Sequence, residues 1–156
     1  MSIHIVLVEP EIPPNTGNIA RTCAATGTKL HLVEPLGFSI EDKALRRAGL
    51  DYWPLVDLEV HKSLLSFLEK YQDWPFYLAT TKAKKIYTEI KYEDNAMIIF
   101  GKETAGLPVE FISKYEDRCI RIPMSDNIKL RSLNLANSAN IVLFEALRQL
   151  GFPELV

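Results

Sequence analysis

The chain has 156 residues, of which 47% are hydrophobic and 24% are charged, and its formal net charge is −2. This composition indicates an ordinary globular protein, and the slight negative charge disfavours a protein dedicated to non-specific nucleic-acid binding. The longest apolar runs are too short to span a membrane, and the N-terminal run lacks the basic flank of a signal peptide. We therefore expect a single domain over residues 1–156, in the cytoplasm and without membrane contact.

Short apolar runs alternate with helical patterns along the chain. The predicted elements are strand 3–8, helix 17–26, strand 30–33, helix 41–48, strand 55–57, helix 61–70, strands 76–79 and 97–100, helix 108–114, strand 119–122 and helix 135–150. Pro13-Pro14 breaks the chain before the first helix, and Gly27 ends that helix. Strands that alternate with helices predict an α/β fold with a largely parallel sheet.

The last predicted helix has an unusually wide apolar face. Its apolar positions are Ala139, Val142, Leu143, Ala146, Leu147 and Leu150, and Ile141 and Phe144 widen the stripe. A face this wide predicts burial on two sides, the second against another subunit.

Three segments that carry small or amide residues each follow a predicted strand. They are residues 15–21, 100–107 and 122–134. Parallel α/β sheets bind ligands beyond the carboxyl ends of their strands, so these three segments predict one shared site.

The first segment lacks the Gly-x-Gly-x-x-Gly fingerprint of dinucleotide-binding proteins, which disfavours a dehydrogenase. Asn15 and Asn18 are equally consistent with helix caps and with functional residues. Arg21 is the stronger candidate, because it is the one guanidinium on an otherwise apolar, alanine-rich helix.

The second segment resembles the opening of a phosphate-binding loop, but Leu107-Pro108 replaces the required Lys-Ser/Thr. Nucleoside triphosphate hydrolysis is therefore disfavoured. Glu103 lies between two glycines, where it can cap the helix that starts near Pro108, orient other site residues, or do both.

The third segment ends in several polar residues at the start of an apolar helix. Ser132 and Asn134 are ordinary capping residues, and Asn137 and Asn140 follow them. A cap needs one such residue, so four of them indicate a further role.

The basic residues form three clusters near these segments. They are Lys43, Arg46 and Arg47; Lys82, Lys84 and Lys85; and Lys129 and Arg131. Each cluster alone is typical of a solvated surface, but together they favour a local phosphate-contacting surface.

The histidines and cysteines, the residue types that most often bind transition metals, show no metal-binding spacing in the sequence. His4, His31 and His61 are scattered, and their default interpretation is core or surface histidine, so no metal site is predicted. Cys23 and Cys119 lie far apart among apolar residues, which predicts reduced, buried thiols.

The combination of segments resembles the three motifs of the SPOUT methyltransferase superfamily, in its 2′-O-ribose-methylating branch. The matching stretches are Asn-Thr-Gly-Asn-x-x-Arg at 15–21, Phe-Gly-x-Glu-x-x-Gly-Leu-Pro at 100–108, and Ile-Pro-Met at 122–124 with Ser-Leu-Asn-Leu at 132–135. Residues 30–38 and 45–52 are similar to members of that branch that methylate the wobble position of tRNA. The chain departs from them by residues 128–130 in its third loop.

The resemblance implies a parallel α/β-knot fold with a C-terminal trefoil knot, a homodimer, and the cofactor S-adenosylmethionine. Carried onto this sequence, the cofactor pocket consists of Ala79, Thr80, Gly101, Ile122, Met124, Ser132 and Leu133. The implied catalytic set is Arg21, Asn15, Glu103, Ser132 and Asn134.

The implied substrate is the anticodon arm of tRNA, methylated at the cytidine or modified uridine of position 34, with leucine tRNAs as the expected isoacceptors. Candidate tRNA contacts are Arg46, Arg47, Lys82, Lys129 and Arg131. Two alternatives stay open: a 2′-O-methyltransferase for another tRNA position or for rRNA, and a non-catalytic RNA- or nucleotide-binding module.

Overall fold

The computed structural model describes residues 1–130 and 132–156, and residues 49–51 by their backbone alone. Within these ranges the strands are β1 Ile3–Val8, β2 Lys29–Val33, β3 Leu58–His61, β4 Phe76–Ala79, β5 Lys85–Ile86, β6 Ala96–Phe100 and β7 Cys119–Arg121. The α-helices are α1 Pro13–Thr26, α2 Lys43–Gly49, α3 Leu64–Lys70, α4 Val109–Lys114 and α5 Leu135–Gln149. Short 3-10 helices occupy Leu50–Leu55, Tyr87–Glu89, Glu116–Arg118 and Ile128–Leu130.

The described strands pair in parallel in the order β3-β2-β1-β6-β4-β7-β5. All six residues of β1 are buried, and its Ile5 lies opposite Leu30 of β2 and Ile98 of β6. Strands covered on both faces are apolar at successive positions, as the sequence indicated. The predicted α/β fold with a parallel sheet is confirmed.

Alternate residues of β1 enter two separate cores. Ile5 and Leu7 pack in the core that contains α1 and α5, whereas Val6 packs with Phe67 of α3 and Phe111 of α4. Helices α3 and α4 have seven and six residues, too few to be stable alone. Burying a large apolar side chain contributes about 1.5–3 kcal/mol, so these contacts hold both short helices in place.

Two predicted boundaries are wrong, for local reasons. Helix α1 begins at Pro13 and not at residue 17, because proline is well suited to the first helical turn, where its missing N–H costs nothing. The third strand is Leu58–His61 and not 55–57, because a 3-10 helix occupies Leu50–Leu55. The following helix therefore starts at Leu64, with Ser63 as its cap.

Two further differences concern α3 and the far edge of the sheet. The apolar pattern of the predicted helix 61–70 places Leu64, Leu65 and Leu68 inward, but Leu65 is 67% exposed, and Phe67 is the buried residue of that helix. The two-residue strand β5 pairs with β7 and was not predicted. Its Lys-Ile sequence is too short to show any periodicity.

The three histidines are not scattered, as the sequence suggested, but lie side by side on β1, β2 and β3. His4 Nδ1 is 2.9 Å from His31 Nε2, and His31 Nδ1 is 3.0 Å from His61 Nε2. Burial is the main cause that lowers the pKa of all three, to about 3 for His31. Glu59 lies next to His61; burial opposes its ionisation, but contacts with Lys70, Lys29 and Tyr71 outweigh that effect and lower its pKa to about 2.

The cysteines are both buried and not bonded to each other, as predicted. Burial raises the pKa of the Cys23 and Cys119 thiols, which disfavours the reactive thiolate. Among the described helices, none combines the length and apolar character that crossing a bilayer requires.

Candidate functional site

A cleft of about 530 Å³ lies beyond the carboxyl ends of β6, β4 and β7, which are neighbours in the sheet. Its wall includes every residue predicted for the cofactor pocket: Ala79, Thr80, Gly101, Ile122, Met124, Ser132 and Leu133. Asn15, Glu103 and Asn134 of the predicted catalytic set also line it. The structure therefore brings the three sequence motifs together.

The loop after β6 folds back on itself and depends on glycine at its first position. A Cβ on Gly101 would lie 2.1 Å from the carbonyl carbon of Gly106 and 2.2 Å from the nitrogen of Leu107. Gly106 has a left-handed φ of 70°, and its N–H donates to the Lys102 carbonyl at 2.8 Å. The loop thus presents backbone to the cleft, which no larger residue at position 101 would allow.

The Glu103 carboxylate caps the start of α1. It accepts hydrogen bonds from the backbone N–H groups of Glu11 and Ile12, each at 2.9 Å, and from Asn15 Nδ2 at 3.2 Å. The N-cap position of α1 is Ile12, whose side chain cannot accept a hydrogen bond. Of the two roles left open for Glu103, the structure does not show a cap of the helix after Pro108; the carboxylate instead contacts the start of the helix that supplies the first motif.

Asn15 continues this contact to the third motif. Asn134 Nδ2 donates to Asn15 Oδ1 at 2.9 Å, and Asn134 Oδ1 accepts from the N–H groups of Ala136 and Asn137. Asn134 is therefore the N-cap of α5, whereas Asn15 is a buried residue in the first turn of α1 and caps nothing. We call these three residues the Glu103–Asn15–Asn134 network.

Glu11 forms a reciprocal contact that the sequence did not reveal. Its carboxylate accepts from the backbone N–H of Thr104 at 3.0 Å and from the Thr104 hydroxyl at 2.8 Å. The Thr104 backbone N–H, followed by the hydroxyl, lowers the pKa of Glu11. Glu11, in the loop after β1, thus contacts the loop after β6, and Glu103, in the loop after β6, contacts the loop after β1. The two loops are neighbours because β1 pairs with β6.

Arg21 lies apart from the cleft. It is exposed on α1, and the centre of its guanidinium is 5.1 Å from the centroid of the Tyr52 ring. Such a contact holds the planar group in place while leaving its N–H donors free for a ligand. Of the predicted catalytic set, Arg21 is the member that does not line the cleft of its own chain.

The candidate tRNA contacts have different surroundings. Lys82 lines the cleft and is exposed, and Arg47 and Lys129 are exposed elsewhere. Arg46 forms an ion pair with Glu41 at 2.9 Å. Arg131 lies outside the described residues.

Replacing Asn134 with alanine tests the network. The Asn134→Ala variant loses the cap of α5 and the bond to Asn15, so we expect it to lower the free energy of unfolding by about 1–2 kcal/mol. Urea denaturation followed by circular dichroism measures the loss.

The matched control is Asn137→Ala, which changes an exposed asparagine on the same helical turn. It should alter stability by less than about 0.5 kcal/mol. Equal losses in the two variants would contradict a structural role for the network.

The chain is similar in sequence to known proteins over nearly its full length and theirs. A protein of Geobacillus stearothermophilus is 54% identical over 97% of this chain and 98% of its own length. The tRNA (cytidine(34)-2′-O)-methyltransferase of Escherichia coli strain K12 is 45% identical over 97% of this chain and 96% of its own length.

Solved structures show the same fold. One that concerns 2-OH methylation of C/U34 on tRNA has a TM-score of 0.91 at 41% identity, covering 96% of this chain and 97% of that chain. An AdoMet-bound rRNA methyltransferase from Sinorhizobium meliloti has a TM-score of 0.84 at 25% identity, covering 96% of this chain and 57% of that one. The SpoU rRNA methylase family matches residues 2–144. With a match of that extent and relatives this similar, the chain belongs to the SpoU methylase family.

Proposed function

We propose that this protein transfers a methyl group from S-adenosylmethionine to the ribose 2′-hydroxyl of the wobble nucleotide of tRNA. The observation that carries the proposal is the single cleft in which all three motifs meet at the carboxyl ends of β6, β4 and β7. The activity in the name of the Escherichia coli relative supports it, at 45% identity. We further propose that residues 1–156 act as one cytoplasmic domain, that its C-terminal part is knotted, and that leucine tRNAs are the substrates.

The cleft fits the cofactor in size and chemistry. Small-molecule sites have volumes of about 300–1,000 Å³ and combine apolar walls with a few polar groups. Ile122, Met124 and Leu133 supply the apolar wall, and the loop at Gly101 supplies close backbone. When bound, S-adenosylmethionine supplies the methyl group on a sulfonium, which is electrophilic enough for transfer without a metal.

The protein then has to position the two substrates and manage the proton of the 2′-hydroxyl. Glu103 is poorly suited to act as the base, because its carboxylate already accepts three hydrogen bonds. We assign Glu103, Asn15 and Asn134 to holding the cofactor loops in register. Ser132 lines the cleft beside them and contributes to the same positioning.

We assign Arg21 to binding the adjoining phosphate and stabilising the negative charge that develops on the ribose oxygen. A guanidinium is a poor base but a good permanent cation, because its positive charge is delocalised over three nitrogens. Its contact with Tyr52 leaves the N–H groups available for this role. Lys82, Arg46, Arg47, Lys129 and Arg131 are proposed to contact tRNA phosphates.

We also propose that the protein is a homodimer that uses one face of α5. Ile141 and Phe144 are three residues apart on that helix and are 38% and 44% exposed. Exposed apolar side chains on one helical face are typical of subunit interfaces. A dimer also accounts for the position of Arg21, because a second copy can present its own Arg21 to a cleft that the first copy leaves without one.

Mapping the methylated nucleotide tests the reaction. Total tRNA from cells that lack this modification is incubated with the protein and labelled S-adenosylmethionine, and the label is located by nuclease digestion and mass spectrometry. We expect 2′-O-methylated nucleoside at position 34, first of all in leucine tRNAs. Label at another position, or only in rRNA offered in parallel, would favour a different substrate, and no label would favour a binding module.

Arg21→Ala tests the assigned role of the guanidinium. Loss of a charge-stabilising group should reduce methyl transfer about 100- to 1,000-fold. Affinity for S-adenosylmethionine, measured by calorimetry, should not change, because Arg21 is assigned to the phosphate and ribose of tRNA and not to the cofactor. Lys114→Ala, which removes an exposed cation from α4, is the control and should retain activity. Equal loss of activity and cofactor affinity would contradict the assignment.

Phe144→Glu tests the dimer. A buried carboxylate opposite its own symmetry mate is strongly unfavourable, so we expect the wild-type protein to sediment as a dimer and this variant as a monomer. Leu65→Glu, a change at an exposed leucine of α3, should leave the dimer intact. A wild-type monomer, or a Phe144→Glu dimer, would contradict the proposed interface.

A further inference from the structure

The three histidines of this chain share one face of the sheet, on β1, β2 and β3. They are covered by Phe67 of α3 and by Tyr71 and Trp74, which follow that helix. His31 is fully buried and His61 is 6% exposed. The proposed methyl transfer uses none of them, and they lie on strands away from β6, β4 and β7, which form the cleft. Burying polar side chains in an apolar core is unfavourable unless they have partners, and a bound ligand would supply one.

Three donor atoms of this cluster lie close enough together to bind one metal ion. His31 Nδ1 lies 3.0 Å from His61 Nε2, which lies 3.3 Å from Glu59 Oε2. One ligand atom from each of the three residues falls within 4.8 Å of the other two. In a tetrahedral zinc site, with bonds of about 2.0–2.2 Å, neighbouring donors are about 3.3–3.5 Å apart. Two of the three donor separations, 3.0 and 3.3 Å, already lie near this spacing.

The groups that contact His31 and Glu59 are also arranged as the outer contacts of metal sites are. His31 Nε2 is 2.9 Å from His4 Nδ1, so a His31 that binds a metal through Nδ1 can donate its ring N–H to His4. Glu59 Oε1 accepts from the Tyr71 hydroxyl at 2.8 Å and lies 2.9 Å from Lys29 Nζ. Such outer contacts fix the tautomer and orientation of the ligating groups.

One group competes with a metal for the carboxylate. Lys70 Nζ is 2.7 Å from Glu59 Oε2, the oxygen that faces His61. The Lys70 side chain is 59% exposed, so its ammonium can move into solvent, whereas the Lys29 side chain is 26% exposed and stays on the other oxygen. A dication entering the cluster would therefore take the place of the Lys70 ammonium.

We propose that His31, His61 and Glu59 bind a divalent transition-metal ion, with His4 orienting His31. Two imidazoles and a carboxylate suit Zn²⁺, and solvent fills the fourth position. The ion joins β2 to the edge strand β3 and so stabilises the folded chain in proportion to its concentration. This site revises the expectation of no metal and is independent of the proposed methyl transfer.

Calorimetric titration of ZnCl₂ into untagged, EDTA-treated and dialysed protein tests the site. Because every histidine of the chain is in the cluster, histidine-dependent binding can occur only there. We expect one Zn²⁺ per chain, a higher Tm with Zn²⁺ than with Mg²⁺, and at least about tenfold weaker binding by His61→Gln. No binding by the wild type, or equal binding by His61→Gln, overturns the proposal.

Lys70→Met provides a test that does not alter the core. Removing the competing surface ion pair should strengthen Zn²⁺ binding up to about fivefold. Lys62→Met, another exposed lysine next to β3, is the matched control and should leave the affinity unchanged. Unchanged or weaker binding by Lys70→Met would overturn the assignment of Glu59 Oε2 as a ligand.

Discussion

The contact between the Glu103 carboxylate and the start of α1 is the interaction on which the cleft depends. Helix α1 begins with Pro13 and Pro14, which have no N–H group, and the N–H groups of Asn15 and Thr16 bond to the Ile12 carbonyl. Glu103, which is distant in sequence, supplies the acceptor for the N–H groups of the two residues that lead into the helix, Glu11 and Ile12, and for the Asn15 side chain. Hydrogen bonds to an ionised carboxylate are roughly twice as strong as neutral ones, and a negative charge is favourable at a helix N-terminus. One side chain thus fixes the second motif to the first.

This use of Glu103 determines how the site can work. A carboxylate that accepts from three donors is held in one orientation, which favours accurate positioning of a ligand. Asn134 also has two roles, since its side-chain oxygen caps α5 and its side-chain nitrogen donates to Asn15 Oδ1. Glu103, Asn15 and Asn134, which the sequence marks as unusual, thus hold the loops of the cleft together, whereas Arg21 lies outside the cleft of its own chain.

The sequence predicted the cleft better than it predicted the contacts within it. Residues 15–21, 100–107 and 122–134, which follow β1, β6 and β7, could be assigned to one site, because the carboxyl ends of parallel strands lie at the same edge of a sheet. Ala79 and Thr80, after β4, were added only by the family resemblance. The partners of Glu103 and Arg21 could not be predicted, because they depend on which strands and helices become neighbours. The same reason hid the histidine cluster: His4 and His31 are 27 residues apart, and they meet only because β1 pairs with β2.

The Glu103 and Glu59 carboxylates each contact several donors, but the two sets of donors differ in kind. A carboxylate that is removed from water destabilises the folded state unless hydrogen-bond donors or cations replace the lost water. Glu103 is matched by the backbone N–H groups of Glu11 and Ile12, just before α1, and by the buried side chain of Asn15. Glu59 is matched in part by Lys70, an exposed side chain. Backbone donors are fixed by the fold, so Glu103 is suited to holding the loops of the cleft. The Lys70 ammonium can be replaced by another cation, which is why the proposed metal site lies at Glu59.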